Sequence, residues 1–345
     1  MDSKNNKRAV GMVSLLLVFL LVSCDTKTTK QYPFVYQGQT MGTSFTIKAS
    51  VVPESVDQQA LKQRIKSLLH EINSSMSTYI ETSKISIFNR SLSTEWQHVS
   101  PHLFEVLKTA QNISEISQGA FDISIAPLVN LWGFGPDEIT YTVPEASKIK
   151  QQLNQIGYQH LLLSDEADKI KKMIPSLILD LSALAKGYAV DQVALLLEKS
   201  NISSYLVEIG GEIRLKGKNI NEQLWRIAIE KPVSDNRVIQ KVLPISDIAM
   251  ATSGDYRNYF EKNGIRFSHT IDPRTGYPVT HKLASVTILS ENTMEADALA
   301  TAIMVLGPDD GYQLAEKKQI AALFLIKKGA GYEEKSTSEF INYTR

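Results

Sequence analysis

Cysteine is almost missing. Cys24 is the only thiol in 345 residues, so no disulfide within the chain can staple the fold, and a cysteine-rich zinc site is excluded. Histidine is scarce too. The six residues, at positions 70, 98, 102, 160, 269 and 281, are scattered and include no HExxH pair, which argues against a zinc hydrolase. There is no GxxxxGK[ST] phosphate loop and no GxSxG elbow, so a P-loop enzyme or an elbow-type serine hydrolase is unsupported. GFGPDE (133–138) begins like a dinucleotide fingerprint, but Glu138 stands where the third glycine belongs. Charge of one sign is lacking as well. The 37 basic and 37 acidic side chains leave no electrostatic footprint for nucleic acid. Low-complexity tracts are absent, as are repeats with a period of about 20–50 residues.

The longest apolar run is short. Lys4, Lys7 and Arg8 precede Ala9–Val22, 14 residues, which is the h-region of a secretory signal rather than a span of roughly 20 residues. The run ends in LVSC (21–24), which resembles the lipobox of bacterial lipoproteins. The resemblance implies cleavage before Cys24 and a lipid on its sulfur, and it accounts for the lone cysteine. Asp25 resembles the inner-membrane retention signal of some Gram-negative lipoproteins, so a periplasm-facing anchor on the inner membrane is expected. Residues 1–23 take three of the 37 basic and one of the 37 acidic groups, leaving a net charge of −2 for the rest. The expected organisation is a signal peptide over 1–23, a lipidated tether over 24–33 and one large domain over 34–345.

Within that domain, TSFTIKASV (43–51) alternates as a strand does. Leu61, Ile65, Leu68, Leu69, Ile72 and Met76 recur at helical spacing, which predicts a helix over about 55–76. Ser100-Pro101 reads as an N-cap and first helical residue, with Gly119 as the terminator. Further helices are expected over 144–156, 183–199 and 294–306. Strands are expected at 161–164, 177–181, across 204–230, in VIQKVLPIS and DIAMATS, and at 284–290 and 320–328. The elements do not alternate βα, so the fold class is α+β with mostly antiparallel sheet.

Four stretches are candidates for chemistry. In MEADALATAIMVLG (294–307), Asp297 and Thr301 share one helix face, as a hard cation such as Mg²⁺ requires. By local pattern alone an acidic helix start is the simpler account. DLSALAKGYAVD (180–191) leaves a strand and enters a helix. It reads either as a phosphate site with Lys186 or as capping by Asp180 or Ser182. Gly187 inside that helix costs about 1 kcal/mol relative to alanine and implies close approach of a backbone or a ligand. GAFDISIAPLVNLWGFGP (119–136) is too apolar for a free loop. SHTIDPRTG (268–276) places a histidine, an aspartate and an arginine around turn formers.

Together with MGTSFTIK, VEIGGEIRLKG and ATSGDYRN, these stretches occur in the order found in the ApbE family, the FAD:protein FMN transferases. The resemblance covers about Met41 to Gly307. It implies two related lobes of a T-fold-like architecture around an FAD cleft. It implies His269 as catalytic base, with Asp272 as the other candidate. Met41, Tyr79, Ala120, Phe121, Asp122, Asp180, Lys186 and Ile271 are the implied FAD contacts. The carbonyl of Ala183 with the side chains of Asp297 and Thr301 is the implied Mg²⁺ site. Some members carry a second aspartate where this chain has Ala300. The implied reaction moves FMN from FAD to a Thr or Ser hydroxyl of an acceptor flavoprotein and releases AMP. Implied acceptors are Na⁺-translocating or electron-transport subunits with a threonine flavinylation motif. Two rivals stand beside it: an FAD pyrophosphatase and a flavin-binding lipoprotein without activity.

Overall fold

Asp57 begins the helical part of the domain. Its carboxylate accepts from the backbone N–H groups of Gln59 and Ala60, two donors that a helix start leaves unpaired. The computed structural model describes residues 33–135, 142–166, 168–232, 238–255, 259–262 and 265–344. The signal segment, Cys24 and the tether up to residue 32 lie outside the described residues.

In chain order, the hairpin Phe34–Thr40 (β1) and Thr43–Ala49 (β2) precedes Gln58–Met76 (α1) and Lys84–Arg90 (α2). Gln97–His98 (β3), Pro101–Ile116 (α3), Ala126–Leu131 (α4), Ala146–Leu153 (α5), Leu161–Ser164 (β4) and Lys169–Lys172 (β5) follow. Next come Ala185–Lys199 (α6), Tyr205–Ile209 (β6), Glu212–Lys216 (β7), Trp225–Glu230 (β8), Ile239–Ile245 (β9) and Ile248–Gly254 (β10). Tyr259–Lys262 (β11), Ile265–Ser268 (β12), Leu283–Ser290 (β13), Thr293–Lys317 (α7), Ala321–Lys328 (β14), Gly331–Ser336 (β15) and Ser338–Thr344 (α8) complete the domain. No helix among the described residues is long and apolar enough to cross a membrane.

One eight-stranded sheet organises the fold, in the order β1-β2-β6-β7-β10-β13-β14-β15. Every neighbouring pair is antiparallel. The expected α+β class with antiparallel sheet is what the chain forms. The sheet divides into two similar halves. In each, the second and third strands are sheet neighbours with a helix between them in sequence: α6 before β6, and α7 between β13 and β14. α6 packs on β6 and β7, α7 packs on β10 and β13, and the two helices pack on each other.

Period-two patterning explains the two cores. On β14, Ala322 and Phe324 join the helical core, whereas Ala321 and Leu323 join an opposite cluster with Trp225, Ile227, Leu243 and Phe340. The central strands are therefore buried on both faces, and β13 is buried along nearly its whole length. A third cluster holds Leu128, Trp132, Ile149, Phe260 and Ile271. It is the cover that the apolar stretch 119–136 called for: Trp132 Nε1 donates to the Gly276 carbonyl at 2.9 Å.

Three expectations need correction. Residues 177–181 are not a strand. Leu177, Leu179 and Leu181 are buried in alternation, but the partner of the backbone is a side chain. The Asn89 amide accepts from Leu179 N and donates to Leu179 O, each at 2.8 Å. The helix placed at 294–306 continues to Lys317 through a kink at Gly307, where φ is 83°. The glycine ends one helix and Pro308 starts the next, as proline can at a first helical position. The stretch 119–136, read as an irregular loop, contains α4.

Candidate active site

The packing of α6 against α7 determines what meets at the centre. Gly187 lets the two backbones touch: a Cβ there would lie 2.5 Å from the Thr293 carbonyl oxygen. The close approach expected at Gly187 is therefore to a backbone. Across this contact the Gly187 N–H donates to Asp297 Oδ2 at 3.2 Å. One turn further along α7, Thr301 Oγ1 is 3.3 Å from Ser253 Oγ on β10. The start of α7 is fixed from α6. Asp191 accepts from Thr293 N, Thr293 Oγ1 and Met294 N, and also pairs with Arg214 at 2.7 Å.

A cleft of about 480 Å³ opens over this seam. Lys186, Ala183, Asp297 and Thr301 line it. So does Glu212, which enters from β7 just after the Gly210-Gly211 turn. Lys186 Nζ is 3.3 Å from Glu212 Oε1 and 3.7 Å from Asp297 Oδ2. Burial alone would lower the lysine, but Asp297 and Glu212 outweigh it and hold the ammonium above its ordinary value. Burial pushes Glu212 up to about 8 against the pull of Lys186, with Asp297 adding like-charge repulsion. Burial also raises Asp297, opposed by Lys186 and the Gly187 N–H. With Glu212 and Asp297 both raised by burial, one ammonium is too little to keep both ionised, and a second cation would favour the state in which both are carboxylates.

That shortage of positive charge, with the oxygen donors of Ala183, Asp297 and Thr301 in the lining, fits a hard cation that keeps several waters. Glu212 Oε2 is buried with no hydrogen-bond partner, a second sign that a cationic group belongs nearby. Among the described residues no group of three or more His, Cys, Asp or Glu could hold a metal, so a cation there would rest on carbonyl and hydroxyl oxygens beside the carboxylate.

SHTIDPRTG forms the opposite wall. His269, Thr270, Ile271 and Pro273 line the cleft, and the His269 ring meets Phe134 edge-on at 6.4 Å. Asp272 is not in the lining. Its carboxylate accepts from Arg274 N, Nε and Nη2 at 2.8–2.9 Å, and its carbonyl accepts from Gly276 N at 2.8 Å. Asp272 thus closes the turn, while His269 faces the cleft.

Ala120, Phe121 and Asp122 supply the third wall. Burial raises Asp122, yet both of its oxygens are engaged, by Ser124 N and Oγ and by Tyr158 N. Asp180 accepts from Ser182 N at 2.9 Å, and its own N–H donates to the Ile123 carbonyl. Tyr79 stands at the rim, 72% exposed. Met41 stands outside the lining, in the β1–β2 turn at φ 48° and against the main core. Glu212, Ser253 and Val305 line the cleft without having been singled out. For Glu212 a signal was present: a carboxylate directly after a two-glycine turn, at the first position of a strand.

The ApbE family model matches residues 41–324. An FAD:protein FMN transferase of Vibrio cholerae is 43% identical over 329 residues, covering 95% of this chain and 97% of the relative. One from Haemophilus influenzae is 39% identical, with 97% of each covered. The solved flavin transferase ApbE from Vibrio cholerae superposes with a TM-score of 0.84 at 41% identity, over 91% of this chain and 99% of that one. The flavinyl transferase ApbE of Pseudomonas stutzeri gives 0.84 at 38% identity, over 91% and 97%. Sequence and fold agree along nearly the whole length, and this chain belongs to the ApbE family.

Proposed function

We propose that this chain is an FAD:protein FMN transferase that joins FMN through its phosphate to a Thr or Ser hydroxyl of an acceptor protein. The observation that carries the reading is the convergence of His269, Lys186, Asp297 and Thr301 on one cleft, from α6, α7 and the loop after β12. In the reaction the acceptor oxygen attacks the phosphorus on the FMN side of the pyrophosphate. The bond from that phosphorus to the bridging oxygen breaks, AMP leaves with that oxygen, and the hydroxyl proton passes to His269.

Each residue has a task in that scheme. An ordinary imidazole titrates near about 6.5, so His269 is suited to accept a proton near neutral pH. Lys186 directs an ammonium toward the phosphates. Asp297, Thr301 and the Ala183 carbonyl would hold Mg²⁺, which when bound offsets charge on the pyrophosphate. Phe121, Ile271 and the rim residue Tyr79 offer apolar surface to the flavin and adenine rings. The proposed setting is the periplasmic face of the inner membrane, with the chain anchored by a lipid on Cys24. Acceptors are Na⁺-translocating or electron-transport subunits bearing a threonine flavinylation motif.

The test combines the full chain, in detergent, with FAD, Mg²⁺ and such an acceptor. Covalent flavin is read as fluorescence on a denaturing gel, and AMP is quantified alongside. A fluorescent acceptor band that requires Mg²⁺ is the expected result. His269→Ala should slow the transfer by about 10²–10⁴-fold while FAD is still retained. AMP and free FMN without a band would make the protein a pyrophosphatase. Bound FAD without either product would leave a flavin-binding lipoprotein. Cys24→Ala should move the protein from the membrane fraction to the soluble fraction, and continued sedimentation with membranes would remove the anchor assignment.

A further inference from the structure

The α6–α7 seam poses a conflict that the metal reading leaves unresolved. Asp297 is the carboxylate a divalent cation needs, and the Lys186 ammonium lies 3.7 Å from its Oδ2. Two positive groups drawn to one carboxylate repel each other, and burial leaves little water to screen them. A place for the lysine to go is therefore part of a working site.

Glu212 is that place. It is 5% exposed, and its Oε1 is already nearer the ammonium than Asp297 is, at 3.3 Å. Its Oε2 has no hydrogen-bond partner. A bare buried carboxylate oxygen is costly, and an ammonium with three N–H groups can fill it. The lysine stem has room to lean that way, because a Cβ on Gly210 would sit only 3.3 Å from Lys186 Cδ and glycine supplies none. Gly210 also has φ 66°, which glycine adopts without strain.

We infer that Glu212 is a positioning residue that draws the Lys186 ammonium off Asp297, so that Asp297 can hold the divalent cation. This rests on the metal site proposed above. It adds that the glutamate acts through the lysine and does not itself ligate the metal.

Mn²⁺ serves as the probe, and its affinity is measured by electron paramagnetic resonance on the full-length protein without FAD. Glu212→Gln should weaken Mn²⁺ binding by about 10–100-fold, the usual cost of losing an outer partner of a metal site. Lys186→Met should bind Mn²⁺ as well as the natural chain or better. In the Lys186→Met background, Glu212→Gln should then cost little more. Equal losses in both backgrounds would overturn the inference, because Glu212 would then act on the metal directly. No loss in either background would overturn it too. Asp297→Asn tests the underlying metal reading separately. If Mn²⁺ binds Asp297→Asn as it binds the natural chain, the metal site lies elsewhere and the role of Glu212 falls with it. Should Glu212→Gln not fold, Glu212→Asp enters the same cycle. It keeps the charge one methylene further back, and its loss should lie between the natural chain and zero binding, again only when Lys186 is present.

Discussion

Lys172 has no exposed surface, which is rare for an ammonium. Its Nζ donates to the carbonyls of Asn89 and Ser91 at 3.1 and 2.7 Å and lies 4.8 Å from the Phe88 ring centroid. These groups cluster at the C-terminal end of α2, where a cation is favoured. The same Asn89 brackets Leu179 with its side chain, next to Asp180 in the cleft wall. Burial lowers Lys172 to about 8, whereas an unfolded lysine titrates near about 10.4. Between those values the unfolded chain binds more protons, so stability contributed by this group rises with pH across that window and is lost as pH falls through about 8. Urea unfolding of the natural chain and of Lys172→Met should therefore diverge in favour of the natural chain from pH 8 to 10.5. Parallel curves would show that the lysine is not held this way. The residue scale is also where sequence reading was weakest. As a string of letters, His269 was the expected base and Asp272 stayed open as the other candidate. Only the turn geometry shows that Arg274 occupies the aspartate while the histidine faces the cleft. For Glu212 the two-glycine turn marked the position, but nothing local reveals that it faces a lysine from another element.

Helices α6 and α7 carry the site between them, and their contact depends on one missing methyl group. At Gly187 a Cβ would press on the Thr293 carbonyl at 2.5 Å and on Met294 Cα at 2.8 Å, both backbone atoms that cannot rotate away. Gly187→Ala gains about 1 kcal/mol of helix propensity but incurs an overpacking cost of typically about 1–3 kcal/mol. The backbone contact places it at the upper end, so the variant should be less stable, and its thermal midpoint should fall by a few degrees. Gly331→Ala, whose Cβ would find its nearest neighbour at 3.9 Å, is the control and should be near neutral. A midpoint unchanged or raised in Gly187→Ala would mean that the helices have slack at this contact. The oddity of Gly187 was legible in the sequence, because a glycine inside a helix needs a reason. Its partner was not, since α7 begins more than a hundred residues later. The same distance hid Asp191. Its task is to hold the first turn of α7, and nothing near it in sequence reveals that.

At the scale of the whole molecule, alternation and helical spacing were enough to read most strands and helices and the α+β class. Strand order was not legible, because β2 pairs with β6 across six helices and the short three-stranded sheet, and no local pattern records a partner so far away. Residues 177–181 show the limit from the other side: they alternate as a strand does, but a single asparagine side chain takes the place of a neighbouring strand. The cleft draws on segments from Tyr79 to Val305, so a ligand that fills it ties both halves of the sheet together. Binding to the native state alone stabilises by about 2.7 kcal/mol when the ligand is at 100 times its Kd. FAD should therefore raise the thermal midpoint, and Mg²⁺ added with FAD should raise it again. In Asp297→Ala the FAD increment should persist in part while the Mg²⁺ increment disappears. In Cys24→Ala, which lies outside the described domain, both increments should match the natural chain. A Mg²⁺ increment surviving in Asp297→Ala would place the cation away from the α6–α7 seam. Loss of the FAD increment there as well would mean that Asp297 organises the whole cleft, as its hydrogen bond to Gly187 across the seam permits.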